Sequence, residues 1–109
     1  MISEDDVERA IDYLRDNATK AAKAKAERMY LDDFSRVVKA TIMREYPDKP
    51  TGTQEALAYS DPRYTSHLSV LKTAIEIDEY HRFMRTAAEA KLNAWQTQSA
   101  NNRILDKIK

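Results

Sequence analysis

Two clusters of basic side chains are the main candidates for a functional site in this sequence. The first cluster has four cations against a single carboxylate, Glu27, and consists of Lys20, Lys23, Lys25 and Arg28. Arg36 and Lys39 continue its positive character further along the chain. Because such side chains neutralise phosphates and release counterions, the cluster predicts binding to nucleic acid. The alternative is a solvated helix face, which is what most charge runs form.

The second cluster mixes cations with aromatic rings. Its basic members are Arg82, Arg85 and Lys91, with Arg103 beyond them. Tyr80, Phe83 and Trp95 lie among these cations. Bases stack on aromatic rings while phosphates meet the cations, so this mixture is typical of a protein that binds single strands. The alternative places the rings in a helix interface. That alternative is stronger for Trp95, on the main apolar stripe, than for Phe83, which lies outside it.

Acidic and histidine side chains offer little further chemistry. Asp78 and His81 share a helix face, but the only other histidine, His67, lies far along the same helix. A carboxylate-bridged metal site needs such groups to converge from several helices. The sequence also lacks cysteine, a nucleophile motif and a phosphate-cradling glycine loop. We therefore predict no metal, no cofactor and no enzymatic activity.

A long helix must position the second cluster. Asp61 can cap its start, and Pro62 suits the first helical position. Apolar or small residues then recur in steps of three and four, with Tyr80 or His81 in the middle of the stripe. About forty residues make a rod of roughly 60 Å, too long for a compact chain of this size. We therefore predict that the stripe is an oligomer interface formed by Leu71, Ala74, Ile77, Tyr80, Met84, Ala88, Leu92 and Trp95.

The first basic cluster belongs to an earlier helix, predicted over residues 4–45. Ser3 and Asp6 resemble a capping box at its start. Asp16-Asn17 leaves open whether this is one helix or two that abut. Its apolar stripe is predicted to consist of Val7, Ile11, Leu14 and Ala18, then Met29 or Tyr30, and finally Phe34, Val38 and Ile42.

Two prolines and the only glycine predict a linker over residues 46–52, after which residues 53–60 suit a short helix and residues 62–102 the long one. The sequence thus predicts a single all-α domain over residues 1–109. Two long helices, joined by the linker and the short helix, form a helical hairpin that assembles into a homo-oligomeric bundle.

Composition agrees with surface-rich helices. The chain has 109 residues, of which 33% are charged, with one glycine, three prolines and no cysteine. Its formal net charge is +0, so any affinity for nucleic acid must come from local clusters. No apolar run approaches the roughly 20 residues of a membrane span, and the acidic N-terminus is unlike a signal peptide. We expect a soluble, cytoplasmic protein.

The segments Arg36–Met43 and Glu55–Tyr64 resemble an "RK…A.LM" box and an "EAYA.SHPEY" box. Glu79–Arg82, followed by the tryptophan and the SANNR ending, is a third characteristic stretch. Together the three stretches resemble a family of small phage proteins, the UvsY-type recombination mediators. Asp61 stands where the family usually has histidine. Gln96 replaces a usual arginine and so removes one positive charge.

The resemblance implies a non-enzymatic mediator in the cytoplasm of a phage host. Such proteins form closed homo-oligomers and bind single-stranded DNA. They contact the strand-exchange recombinase and the single-strand-binding protein, and help the recombinase to replace the latter. Two other interpretations remain open. The chain could be a coiled-coil scaffold or adaptor that binds only protein, or a small inhibitor of a host protein.

Overall fold

Three α-helices make up almost all of the chain in the computed structural model, which describes residues 1–108. They are α1 (Glu4–Met43), α2 (Thr51–Ser60) and α3 (Pro62–Ile108), and no strand occurs within the described residues. This confirms the predicted all-α architecture. The single continuous α1 also answers the question left open at Asp16-Asn17. Compared with the prediction, α1 ends two residues earlier, α2 begins two earlier and α3 runs six further.

Local side-chain bonds fix the helix starts, as the sequence indicated. The Ser3 amide donates to an Asp6 carboxylate oxygen at 3.0 Å, and the Asp6 amide donates to Ser3 Oγ at 3.1 Å. This reciprocal pair is a capping box. At the start of α3, Asp61 Oδ1 accepts the Arg63 amide at 2.8 Å, and Pro62 occupies the first helical position. Both predicted caps are therefore confirmed.

The chain divides into two compact units, each with segments of both long helices. The central unit comprises residues 22–79, and the terminal unit joins residues 1–21 to the described residues from 80 onward. In the central unit α1 and α3 run antiparallel, because Arg28 contacts Asp78 while Ser35 contacts His67. Ile42 is a large side chain buried almost completely in its core, at 1% exposure, and Ala58, Leu71 and Ala74 are also buried.

The inward side of α1 in the central unit has the three-four spacing of a coiled-coil seam. It consists of Ala24, Arg28, Leu31, Ser35, Val38 and Ile42, all buried or half-buried. The predicted stripe was correct at Val38 and Ile42. It was wrong at Met29 and Tyr30, which are exposed. Phe34 is 37% exposed, and its ring lies between those of Tyr30 on α1 and His67 on α3, with centroid distances of 5.7 Å and 5.9 Å.

Ionic contacts join the helices of the central unit near the connector. Arg63 Nη2 bonds to Glu45 and, at 3.0 Å, to Asp61. The side-chain hydrogen bond from Arg63 lowers the pKa of the Asp61 carboxyl. Lys39 Nζ lies 3.5 Å from Glu55 and 4.8 Å from the centre of the Tyr59 ring. These contacts tie the end of α1 to α2 and to the start of α3.

The terminal unit has a small core, formed by alanines and by two larger apolar side chains that are only half-buried. Ala10 and Ala88 are buried, and Leu92 and Trp95 are half-buried. At the end of this contact the Gln98 amide group donates to Ile2 O at 3.1 Å. Residues 101–108 of α3 are all exposed. Among the described residues, no helix is both long enough and apolar enough to cross a membrane.

Candidate nucleic-acid interface

The first basic cluster is only partly available to a ligand. Lys20, Lys23 and Lys25 are exposed, whereas Arg28 turns into the seam of the central unit. Arg28 Nε lies 2.5 Å from Asp78 Oδ2, and the two side chains are 25% and 7% exposed. Since its charge is matched by a buried carboxylate, Arg28 acts as a structural residue. The remaining cations of the cluster are three lysines on the outside of α1.

The two cations that follow along α1 differ from each other. Arg36 is exposed, whereas Lys39 is half-buried between Glu55 and the Tyr59 ring. Hydrogen bonding to the Tyr59 side chain, with a smaller contribution from the Glu55 charge, raises the pKa of Lys39. Lys39 therefore remains protonated, but its charge is already engaged by neighbouring groups.

The second cluster lies on α3 in the terminal unit, and its rings face outward. Phe83 is 70% exposed, and Tyr80, three residues earlier on the helix, is also exposed. Residues three apart are neighbours on a helix surface, so the two rings form one aromatic patch. Arg82, Arg85, Lys91 and Arg103 are all exposed as well. This patch places two exposed rings and several predicted DNA-binding cations on a single helix, as α1 also does with Tyr30 and Phe34 between Lys25 and Arg36.

The predicted interface stripe of α3 separates into two groups. One group is buried or half-buried against the chain's own helices and consists of Leu71, Ala74, Ala88, Leu92 and Trp95. The other remains exposed and consists of Ile77, Tyr80 and Met84. Between the buried residues, polar Asp78 and half-buried His81 lie on the inward side. A stripe predicted for contacts between copies is thus used, in large part, within one copy.

Polar groups on this inward side are mostly structural. His67 Nε2 lies 2.8 Å from Leu31 O and 2.9 Å from Ser35 Oγ, so it must donate to the carbonyl, which can only accept. His81 Nδ1 is buried without a hydrogen-bond partner, and the Tyr80 ring meets the His81 ring edge to face. No group of three or more metal-ligating side chains occurs within residues 1–108.

The SANNR ending contributes to a shallow, open groove on α3. The groove has a volume of about 550 Å³ and is lined by Asn93, Ala94, Thr97, Gln98, Asn101 and Asn102. Its amide groups can donate and accept hydrogen bonds. The sequence signal for this row is the spacing of four between Asn93, Thr97 and Asn101, since residues four apart share a helix face.

Comparisons of this chain with protein-family models, with curated proteins and with solved structures found no match.

Proposed function

We propose that this protein is a non-enzymatic recombination mediator of a phage, which binds single-stranded DNA and helps to load a strand-exchange recombinase. The observation that carries the DNA-binding part is the exposure of Phe83, at 70%, among the cations of α3. A phenylalanine on the outer side of a helix gains nothing from the chain's own core. A nucleic-acid base that stacks on this ring would cover its apolar face, which the chain itself leaves exposed.

The neighbouring charges suit a single strand. Arg85 and Lys91 are exposed on the same helix as the Tyr80–Phe83 rings, so phosphates could meet cations while bases stack. A duplex would keep its bases stacked on each other and leave both rings without a partner. The proposed substrate is therefore single-stranded DNA, bound with little sequence preference.

The recombinase and the single-strand-binding protein enter the proposal through the family resemblance. Exchange of one protein for another on a strand requires contacts that can break, and weak repeated contacts by an oligomer satisfy this condition. Copies of the exposed lysines Lys20, Lys23 and Lys25 would add to the electrostatic part of the affinity. We place this protein in the cytoplasm of the host cell.

A scaffold or adaptor that binds only protein is the second candidate. The exposed apolar side chains of the central unit favour it, since Tyr30, Val37, Ile75 and Ile77 are each at least 40% exposed. Large exposed apolar patches mark contacts with other proteins. A scaffold would bind its protein partners without salt-sensitive affinity for DNA, which separates the two candidates.

Binding of a fluorescent oligo-dT, followed by anisotropy at two salt concentrations, tests the proposal. Phe83→Ala should weaken binding by about tenfold, because stacking of a base is worth roughly 1–3 kcal/mol. Arg85→Ala should lower the slope of log affinity against log salt by about 0.7. Neither side chain is buried, so circular dichroism should show unchanged helix content.

Matched controls come from the central unit. Leu68→Ala removes an exposed apolar side chain, and Lys72→Ala removes an exposed charge, both away from the aromatic patch. We expect both controls to bind oligo-dT like the unmodified protein. Equal affinity and salt slope for Phe83→Ala, Arg85→Ala and the controls would refute this interface, and no salt-sensitive binding at all would favour the scaffold.

A further inference from the structure

The two long helices of the central unit share an apolar surface on one side of their seam. On α1 it consists of Tyr30, Phe34 and Val37, whose steps of four and three residues place them on one side of the helix. The Phe34 ring meets the His67 ring of α3. Val70, three residues beyond His67, is 54% exposed, so the apolar surface continues from α1 onto α3.

The ring at the centre of this surface is held in place by bonds within the chain. His67 Nε2 lies 2.8 Å from Leu31 O and 2.9 Å from Ser35 Oγ, which fixes the imidazole between the helices. The Phe34 ring in turn lies between the imidazole and the Tyr30 ring. Side chains that are already ordered lose little conformational entropy on binding, which favours their use as a docking site.

The charges beside these rings are negative. Glu27 and Asp33 lie three residues before and after Tyr30, so both carboxylates are its neighbours on the helix surface. Both are exposed, and neither forms an ion pair within residues 1–108. Lys25 and Arg36 lie roughly 140° and 120° around the helix from Tyr30, on another side of α1.

This charge distribution decides between the possible occupants. The nearest cation on the same side of α1 is Lys23, about 10 Å along the helix from Tyr30, with Glu27 between them. A phosphate backbone laid on the rings would meet two carboxylates before it met a cation, which argues against nucleic acid. A lysine or arginine of a partner protein would be attracted both by the carboxylates and by the exposed face of the Tyr30 ring.

We propose that this surface is a docking site for a helical segment of a partner protein that carries arginine or lysine beside an apolar face. The apolar side chains of the segment cover Phe34, and its cation lies over the Tyr30 ring between Glu27 and Asp33. Exposed apolar surface of this kind marks protein contacts, and an amphipathic helix lying along a groove is a common form of them. The inference depends on neither candidate function, since a mediator and a scaffold both bind proteins, and it adds the chemistry that the partner must present.

Two synthetic helical peptides provide a defined probe. Both carry fluorescein and leucines in steps of three and four residues, and the flanking positions hold arginine in one peptide and glutamate in the other. Anisotropy at low salt should show binding of the arginine peptide and little binding of the glutamate peptide, because like charges would face each other in the second complex. In about 1 M salt the arginine peptide should bind several-fold more weakly, since exposed charges are then screened.

Adjacent residues supply matched variants. Tyr30→Ala should weaken binding of the arginine peptide by about fivefold and Asp33→Asn by about threefold, as expected for a cation–π contact and for an exposed ion pair. Met29→Ala and Asp32→Asn remove an exposed apolar side chain and an exposed carboxylate on another side of α1, and should bind like the unmodified protein. All four side chains are exposed, so circular dichroism should show unchanged helix content.

Any of four results would overturn the proposal. The arginine peptide could fail to bind, or bind no better than the glutamate peptide. Tyr30→Ala and Met29→Ala could bind it equally, which would place the contact elsewhere. Tyr30→Ala could lower the affinity for oligo-dT, which would make nucleic acid the occupant, or lower the mass in sedimentation, which would make it a second copy. Phe83→Ala should bind the arginine peptide normally, so the outcome at this surface is independent of the outcome for the DNA interface.

Discussion

Removing Arg28 and removing Asp78, the two members of the buried ion pair, should lower the stability of the protein by different amounts. The two partners differ in their access to water, with 25% of the Arg28 side chain exposed and 7% of the Asp78 side chain. Removing one member of a buried pair costs about 3–5 kcal/mol, because the other charge stays buried without a partner. The cost therefore depends on which charge is left behind.

Arg28→Met keeps an unbranched stem but strands the Asp78 carboxylate between the helices. We expect it to lower the free energy of unfolding by about 3–5 kcal/mol. Asp78→Leu strands a guanidinium that is already partly exposed and can reach water on a flexible stem. Its cost should be smaller, about 2 kcal/mol, in line with the penalty for an unpaired polar group. The Arg28 variant should thus be the less stable of the two.

Urea unfolding followed by circular dichroism at 222 nm measures both changes at one fixed protein concentration, since association would add to apparent stability. A loss of 3 kcal/mol corresponds to a fall in Tm of very roughly 15 °C for a chain of this size. The double variant Arg28→Met/Asp78→Leu is the control. It should regain most of the lost stability, because an apolar pair of similar volume can replace a buried ion pair.

Three outcomes would refute this reasoning. Arg28→Met could unfold at the same urea concentration as the unmodified protein, which would mean that the pair is solvated. Asp78→Leu could lose more stability than Arg28→Met, which would reverse the predicted asymmetry. The double variant could lose as much free energy of unfolding as the two single variants together, which would show that the two side chains do not interact.

Two further predictions concern the N-terminal cap and the seam. Hydrogen bonds from the Ser3 backbone and the Arg9 side chain lower the pKa of Asp6 to about 2, from an ordinary value of 3.8. The Asp6 contribution to stability should be complete above about pH 5 and disappear as the pH falls towards 2, so the stability difference between the unmodified protein and Asp6→Asn should shrink over that range. Ile42→Ala should cost about 2–5 kcal/mol in urea unfolding, whereas Ile77→Ala should cost less than about 1 kcal/mol, since Ile42 is 1% and Ile77 49% exposed. Equal losses at the two positions would mean that the inward side of α3 has been misidentified.

The helices and their ends follow from local features of the sequence. One glycine and three prolines leave few places where a helix can stop. The Ser3–Asp6 pair and Asp61-Pro62 identified two starts through bonds that span only two or three residues. Such local interactions are the same whatever the rest of the chain does, and for this reason the all-α architecture could be predicted.

Which side of each helix faces inward depends on contacts between helices and could not be read from the sequence. A three-four period fixes the spacing of a stripe but not its phase, and α3 carries apolar residues on more than one side. At the centre of α3 the sequence favoured Ile77, yet its neighbour Asp78 is the buried residue. The carboxylate can be buried because Arg28, fifty residues away in the chain, supplies the opposite charge.

The same reason explains what could be predicted of the candidate interface. Sequence located the cations and singled out Phe83 as a ring outside the main stripe, and its exposure agrees with that interpretation. It could not tell that Arg28 and Lys39 are engaged by Asp78, Glu55 and Tyr59, because these contacts join different helices. Helix formation follows from neighbours along the chain, whereas the free or engaged state of a charge depends on neighbours that only folding brings together.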